Sequence, residues 1–270
     1  MPRGAFGGFP TYWTTFGQGP RAALMIHCSL GETAIWGGMA QALSGAATMT
    51  AFDLPGHGRS ADWDARGEMS EVCAGIAADL AAEGTPMDVI GHSFGGVVAL
   101  RLAMSRPDLV RSAVIIEPVF FAAALRAQPD ACLQHQREKA AFEAAMVAGE
   151  LGAAARGFIG AWGGGRPWAS FSADAQARMA RQMHLIAAAG PALYDDAGGL
   201  LAPGGLDHMQ TPVLLLEGSE APGIIPAING ALAARLPHVR RGIIGGAGHM
   251  SVATHAEQVS AEVLRFWRDV

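Results

Sequence analysis

Met87-Asp88-Val89-Ile90-Gly91-His92-Ser93-Phe94-Gly95-Gly96-Val97-Val98-Ala99-Leu100-Arg101-Leu102-Ala103-Met104 is the stretch around which the rest of the chain is arranged. Its first four residues are short, apolar and partly β-branched, which predicts a buried strand. From Gly96 to Met104 the run is almost continuously apolar, which predicts a buried helix. Between them, Gly91-His92-Ser93-Phe94-Gly95 has the pattern G-x-S-x-G. In a chain with 36 glycines the pentapeptide alone would mean little, but a strand before it and a helix after it give it a context. The glycines let the backbone reverse without a Cβ clash. The turn lifts the Ser93 hydroxyl to the strand tip, over a helix start where backbone N–H groups point outward. A serine held in this way is a candidate nucleophile.

Outward from this turn, strand and helix signals alternate. Strands are predicted at 11–16, 22–26, 48–52, 112–117, 212–216 and 239–244, and helices at about 33–43, 69–82, 227–236 and 256–268. From Val119 to about Gln210 the alternation stops. Residues 130–150 and 172–189 have helical apolar spacing, and Pro, Gly and Trp punctuate the gap between them. Repeated βα units imply an α/β fold with a mostly parallel central sheet and helices on both faces. Residues 1–118 and 211–270 then form the core domain, and residues 119–210 a helical cap over the strand ends, where such sheets keep their sites.

Composition narrows the function classes. Half of the 270 residues are hydrophobic, enough for a large core. A net charge of −5 argues against a nucleic-acid surface and against a polybasic membrane face. No stretch reaches the roughly 18 consecutive apolar residues of a membrane span. Cys28, Cys73 and Cys132 have neither metal-ligand spacing nor disulfide density, so free thiols and a reducing cytoplasm are the expectation. The first eight residues lack the apolar run of a secretion signal.

With these elements in place the chain resembles the α/β-hydrolase superfamily over almost its full length. Four features carry the resemblance: His27-Cys28-Ser29 after an early strand, Asp53-Leu54-Pro55-Gly56-His57-Gly58-Arg59-Ser60, the turn at Ser93, and Gly246-Ala247-Gly248-His249. The resemblance implies a nucleophile at Ser93, a base at His249, and an oxyanion hole made of the Ser29 and Phe94 N–H groups. It implies no metal and no organic cofactor. Two positions depart from the superfamily pattern. Cys28 stands where a glycine is usual, and Ala221, in Gly218-Ser219-Glu220-Ala221-Pro222, stands where the triad aspartate is usual.

A triad needs a carboxylate to orient its histidine. Glu220, Glu217 and Glu117 compete for that place. Glu117 ends an apolar strand before Pro118, and adjacent parallel strand tips lie about 5 Å apart, within reach of a glutamate arm. The superfamily resemblance also allows an acid after the earlier strand, as some haloalkane dehalogenases have it. Glu117 is therefore the expected acid and Glu220 the alternative.

Other residues have plainer readings. His92 is expected in sheet–helix packing, His57 in a structural turn, and His27 bonded to backbone. His135, His184, His208 and His255 lack metal spacing and fall on the surface or the cap. Trp162, Trp168, Phe158 and Phe171 fit a pocket lining and a cap core equally well. Arg178 and Arg181 are expected to be solvated. The expected activity is hydrolysis of an ester, thioester or lactone of a small molecule through an acyl-enzyme. The alternatives are a C–C bond hydrolase of ring-cleavage products and a non-catalytic ligand-binding protein. The sequence leaves the oligomeric state open.

Overall fold

The computed structural model describes residues 3–82 and 84–270. Among them, eight strands form one sheet: β1 (Arg3–Phe6), β2 (Phe9–Phe16), β3 (Arg21–Ile26), β4 (Ala47–Phe52), β5 (Met87–His92), β6 (Val110–Ile116), β7 (Val213–Gly218) and β8 (Val239–Ile244). Their order is β1-β2-β4-β3-β5-β6-β7-β8. The β1–β2 and β2–β4 pairs are antiparallel and every other pair is parallel. The helices of the core are α1 (Gly37–Leu43), α2 (Met69–Ala81) and α3 (Phe94–Ser105) before the helical excursion. After β6 come α4 (Phe121–Ala127), α5 (Leu133–Val147), α6 (Leu151–Trp162), α7 (Ala173–Arg181) and α8 (Met183–Tyr194), then α9 (Ile224–Ala233), α10 (Ser251–Thr254) and α11 (Ala256–Trp267).

The unbroken apolar runs of the central strands follow from burial on both faces. Side chains alternate across a strand. Val89, Ala113, Ile115 and Leu215 point to one core with α2, α3 and α9, alongside Ile76, Val98 and Ile228. Ile90, Val114, Ile116, Leu214 and Leu216 point to the other, with Trp36, with Met39 and Leu43 of α1, and with Val259, Val263 and Phe266 of α11. A parallel sheet covered on both sides needs this composition.

Four elements differ from the sequence reading. The strand expected at 11–16 is the last six residues of β2, and β1 extends the sheet edge as a hairpin from Arg3. The helix expected at 33–43 opens with a 3-10 turn, Thr33–Trp36, before α1. The gap expected between the two cap helices holds α6, whose glycines at 152, 157 and 160 hide a regular helix. The helix expected at 172–189 is two helices, α7 and α8, with Gln182 between them.

Residues between β6 and β7 contain no strand among those described. Their two ends belong to the main core: Phe120, Phe121 and Ala124 at one end, Leu200, Leu206 and Met209 at the other. The middle has a cluster of its own, with Ala155 and Ile159 of α6 and Met179 of α7 fully or nearly buried beside Met183. Phe142, Phe158, Trp168 and Phe171 pack against that cluster.

Candidate active site

Parallel register brings the tips of β5, β6 and β7 together. His92 is opposite Ile116, and Ile116 is opposite Leu216. One residue further on, the Ser93 N–H donates to the Ile116 carbonyl and the Glu117 N–H to the Leu216 carbonyl, both at 2.9 Å. Ser93 and Glu117 both leave their strands in the left-handed region, at φ 57° and φ 51°. Such backbone costs a non-glycine residue roughly 1–3 kcal/mol and persists where surrounding structure imposes it. Gly95 shows what imposes it at Ser93. A Cβ on Gly95 would lie 2.1 Å from the Ile26 carbonyl oxygen, so only glycine lets α3 start this close to the end of β3.

The loop after β8 completes the arrangement. His249 Nε2 is 3.0 Å from Ser93 Oγ, and its Nδ1 is 3.1 Å from Glu117 Oε2. The other carboxylate oxygen, Oε1, accepts the Gly218 N–H at 2.5 Å. A carboxylate beside Nδ1 fixes the proton there and leaves the Nε2 lone pair facing the serine hydroxyl, which donates to it. Ser93, His249 and Glu117 are buried, at 6%, 3% and 0% exposure. Burial pulls the His249 pKa down to about 3, so the ring is neutral at rest. Burial pushes Glu117 up to about 7, against the Gly218 hydrogen bond and the nearby His92, which favour the anion.

The competing carboxylates lie elsewhere. Glu217 accepts from Asn229 Nδ2 at 2.8 Å and from Arg241 Nη2 at 3.0 Å, which makes it a tie between β7, α9 and β8. Glu220 is exposed on the loop after β7, where its N–H donates to the Ala247 carbonyl.

Supporting histidines and one aspartate hold the loops. His27 accepts the Leu54 N–H at Nε2 (2.9 Å) and donates from Nδ1 to the Cys28 carbonyl (2.7 Å). Asp53 accepts the Thr33 N–H at 2.6 Å and the Arg59 N–H at 2.8 Å, clamping two loops together. A Cβ on Gly58 would lie 2.1 Å from that carboxylate. His57 donates to the Pro55 carbonyl at 2.8 Å. Burial brings His27 to about 3 and His57 to about 4, so both stay neutral. The loop bearing Cys28 and Ser29 follows β3, whose Ile26 pairs with Gly91 of β5, so it flanks the turn at Ser93. Cys28, Cys73 and Cys132 are buried and unpaired. The Phe94 N–H is the first of α3 and has no acceptor inside the helix.

Two residues with larger parts than the sequence suggests are His92 and Trp162. His92 sits in the sheet–helix packing, and its Nε2–H donates to the His249 carbonyl at 2.8 Å, so it fixes the backbone of the loop that presents the imidazole. Its place directly before Ser93 is the only sequence signal of that role. Trp162, the last residue of α6, meets the His249 ring edge-on at 4.8 Å between centroids. Phe158, Trp168 and Phe171 pack against the cluster of α6 and α7, and Phe158 also against the main core. His135 is buried against Phe121, while His184 and His208 are exposed. Arg178 and Arg181 are exposed and line a separate cleft with Asp62, Trp63 and His184. Among the described residues no helix is long and apolar enough to cross a membrane.

Comparison with known proteins gives the arrangement a context. The alpha/beta hydrolase family matches over residues 23–262. Lipase LipV of Mycobacterium tuberculosis is 41% identical over 102 residues, which are 37% of this chain and 38% of that protein. The pimeloyl-[acyl-carrier protein] methyl ester esterase of Nitrosomonas europaea is 36% identical over 104 residues, 38% of each chain. The match thus spans under two fifths of either relative's length. Among solved structures, epoxide hydrolase VrEH1 from Vigna radiata superposes with a TM-score of 0.73 at 17% identity, over 100% of this chain and 97% of its own. At that identity the likeness concerns the fold.

Proposed function

Because this chain belongs to the alpha/beta hydrolase family, we propose that it is a serine hydrolase that cleaves an ester of a small molecule through an acyl-enzyme. The unbroken, buried line from Glu117 through His249 to Ser93 carries this reading. In it, His249 takes the Ser93 proton as the oxygen attacks the carbonyl, and the Glu117 carboxylate stabilises the imidazolium that forms. The Phe94 and Ser29 N–H groups receive the developing oxyanion. One such donor is worth about 10²–10³ in rate. His249 then protonates the leaving oxygen, and water, deprotonated by the same ring, releases the acid and returns the proton to Ser93.

The nucleophile also limits the substrate. A serine that opened an epoxide would end as an alkyl ether, which His249 and water have no carbonyl to attack. An acyl-serine, by contrast, is cleaved by the step that made it. This favours esters, thioesters and lactones. The relatives named as lipase and methyl ester esterase agree with that choice. Residues 119–210 act in this scheme as a cap that shuts the site from water and shapes what enters. A fluorophosphonate probe is expected to label Ser93. Ser93→Ala is expected to lower turnover of p-nitrophenyl acetate by about 10⁴ or more with the fold intact. Near-normal turnover in that variant overturns the assignment.

A further inference from the structure

Leu30, on the loop after β3, has φ 60°, in the same left-handed region as Ser93 and Glu117. A Cβ disfavours that conformation by about tenfold in population. The proposed reaction uses the side chains of Ser93 and Glu117, which gives their strain a purpose. It uses no side-chain atom of Leu30, so another contact must hold this residue. Leu30 is half-buried and packs against the cluster built on Ala155, Ile159, Met179 and Met183. Every other described residue in or against that cluster lies between 142 and 186, so Leu30 is the part that the loop after β3 contributes to it. Partial burial of a leucine side chain offsets a factor of the same order as the strain.

Leu30 is the third residue of a four-residue turn. The Gly31 N–H donates to the Cys28 carbonyl at 3.0 Å, and the His27 Nδ1–H donates to the same oxygen at 2.7 Å. Positive φ at the third residue is the mark of a type II turn. The fit is tight: a Cβ on Gly31 would lie 3.0 Å from that oxygen and 3.1 Å from Cys28 Sγ. The Cys28 carbonyl and the Ser29 N–H belong to one trans peptide and point opposite ways. The two hydrogen bonds that fix the oxygen therefore fix the N–H, which faces out of the turn and has no acceptor among the described residues. Were Leu30 to relax to negative φ, the turn would re-form around a reversed Ser29–Leu30 peptide, and the Ser29 N–H would shift with it.

We infer that Leu30 is a positioning residue for the reaction proposed above, on which this inference rests: held by the cluster of α6 and α7, it keeps the turn 28–31 closed and the Ser29 N–H aimed at the oxyanion that Ser93 creates. The helices between β6 and β7 thereby act on the oxyanion hole through one side chain that touches no reacting atom.

The test compares Leu30→Ala with Leu30→Gly in p-nitrophenyl acetate turnover, well below the melting temperature of each variant. Both lose the side chain, and only glycine adopts positive φ freely. Leu30→Ala is expected to lower kcat about tenfold with KM within about twofold, because an oxyanion donor acts in the transition state. Leu30→Gly is expected to return kcat to within about threefold of wild type. A side chain that only packs would leave kcat unchanged in both variants, and one that only lines the substrate site would raise KM equally in both. Any result in which the two variants agree overturns the inference. If Leu30→Ala does not fold, the cluster decides: Ile159→Ala is expected to lower kcat in the wild-type chain and to leave it unchanged in the Leu30→Gly background. Equal effects in the two backgrounds overturn the inference. Agreement between the variants, in a wild-type enzyme that fluorophosphonate labels at Ser93, removes the role of Leu30 alone. A wild-type chain that neither labels nor turns over ester overturns the reaction and this inference with it.

Discussion

Replacing Glu117 by Gln removes one charge from the centre of the site and leaves its shape. The Glu117 carboxylate is 3.1 Å from His249 Nδ1, which puts the two charge centres of an imidazolium–carboxylate pair about 4 Å apart. At an effective dielectric constant of about 20 that pair is worth about 4 kcal/mol. Since 1.36 kcal/mol is tenfold in rate, the lost charge alone slows acylation by about 10³. Glutamine adds a second loss. Its amide oxygen keeps the Gly218 N–H, so its NH₂ faces Nδ1 and the ring proton moves to Nε2, where a lone pair is needed. The two effects together lower kcat by about 10⁴, as in comparable triads. The fold should survive, because the Gly218 hydrogen bond remains. The assay is p-nitrophenyl acetate turnover beside a thermal melt of the same sample. Glu217→Gln is the contrast: its amide can keep only one of the ties to Asn229 and Arg241, and it is expected to lower the melting temperature and spare kcat. A Glu117→Gln enzyme that keeps more than about a tenth of wild-type kcat would refute the reasoning.

The pH dependence of catalysis follows from the same pair. The proposed reaction needs Glu117 ionised and His249 neutral. With Glu117 near 7 and His249 near 3, falling pH protonates the glutamate first, so kcat/KM is expected to drop below about pH 7. An identical acid limb in Glu117→Gln would assign it to another group. Stability falls in the same direction, through the histidines. His27, His57, His92 and His249 are held neutral at about 3, 4, 3 and 3, against 6.5 unfolded, so the unfolded chain binds more protons below pH 6.5. Their contribution is present above that pH and is lost as pH falls toward 4. Glu117, raised rather than lowered, offsets part of the loss. The net is on the order of 5 kcal/mol between pH 7 and 5, read as a falling urea midpoint. An unchanged midpoint would mean that these rings are not held neutral. Gly95→Ala should destabilise by about 3 kcal/mol, since its Cβ would fall on the Ile26 carbonyl. A melting temperature equal to wild type would contradict that packing.

The sheet was legible because its strands are buried on both faces. An apolar run such as Val213–Leu216, ended by turn residues, needs no partner to be recognised as a strand. The turn at Ser93 was legible because the glycines that permit it are also its signature. Glu117 could be singled out because strand tips adjoin and a carboxylate there needs a neighbour, although its contact with Gly218 could not be foreseen. α6 stayed hidden because its glycines resemble loop punctuation, while Ala154, Ala155 and Ile159 form its buried face only once α7 is beside it. The edge strand β1 has too few residues to show a period. His92 and Trp162 touch His249 across 157 and 87 positions of chain, a relation that no local pattern encodes.

The carboxylate that touches His249 arrives from β6, and this changes what the loop after β7 is free to do. Where an aspartate in that loop orients the histidine, its length and backbone path are tied to a hydrogen bond that tolerates only tenths of an ångström. Here the fixed points are Gly218 at its base, the Ser219 Oγ that accepts the Gly246 N–H at 2.8 Å, and the Glu220 N–H on the Ala247 carbonyl. The side chains of residues 220–223 carry no obligation to the imidazole. Exchanges there can remodel the surface beside the site without disturbing the proposed proton path, so a change of substrate need not pass through an inactive ancestor.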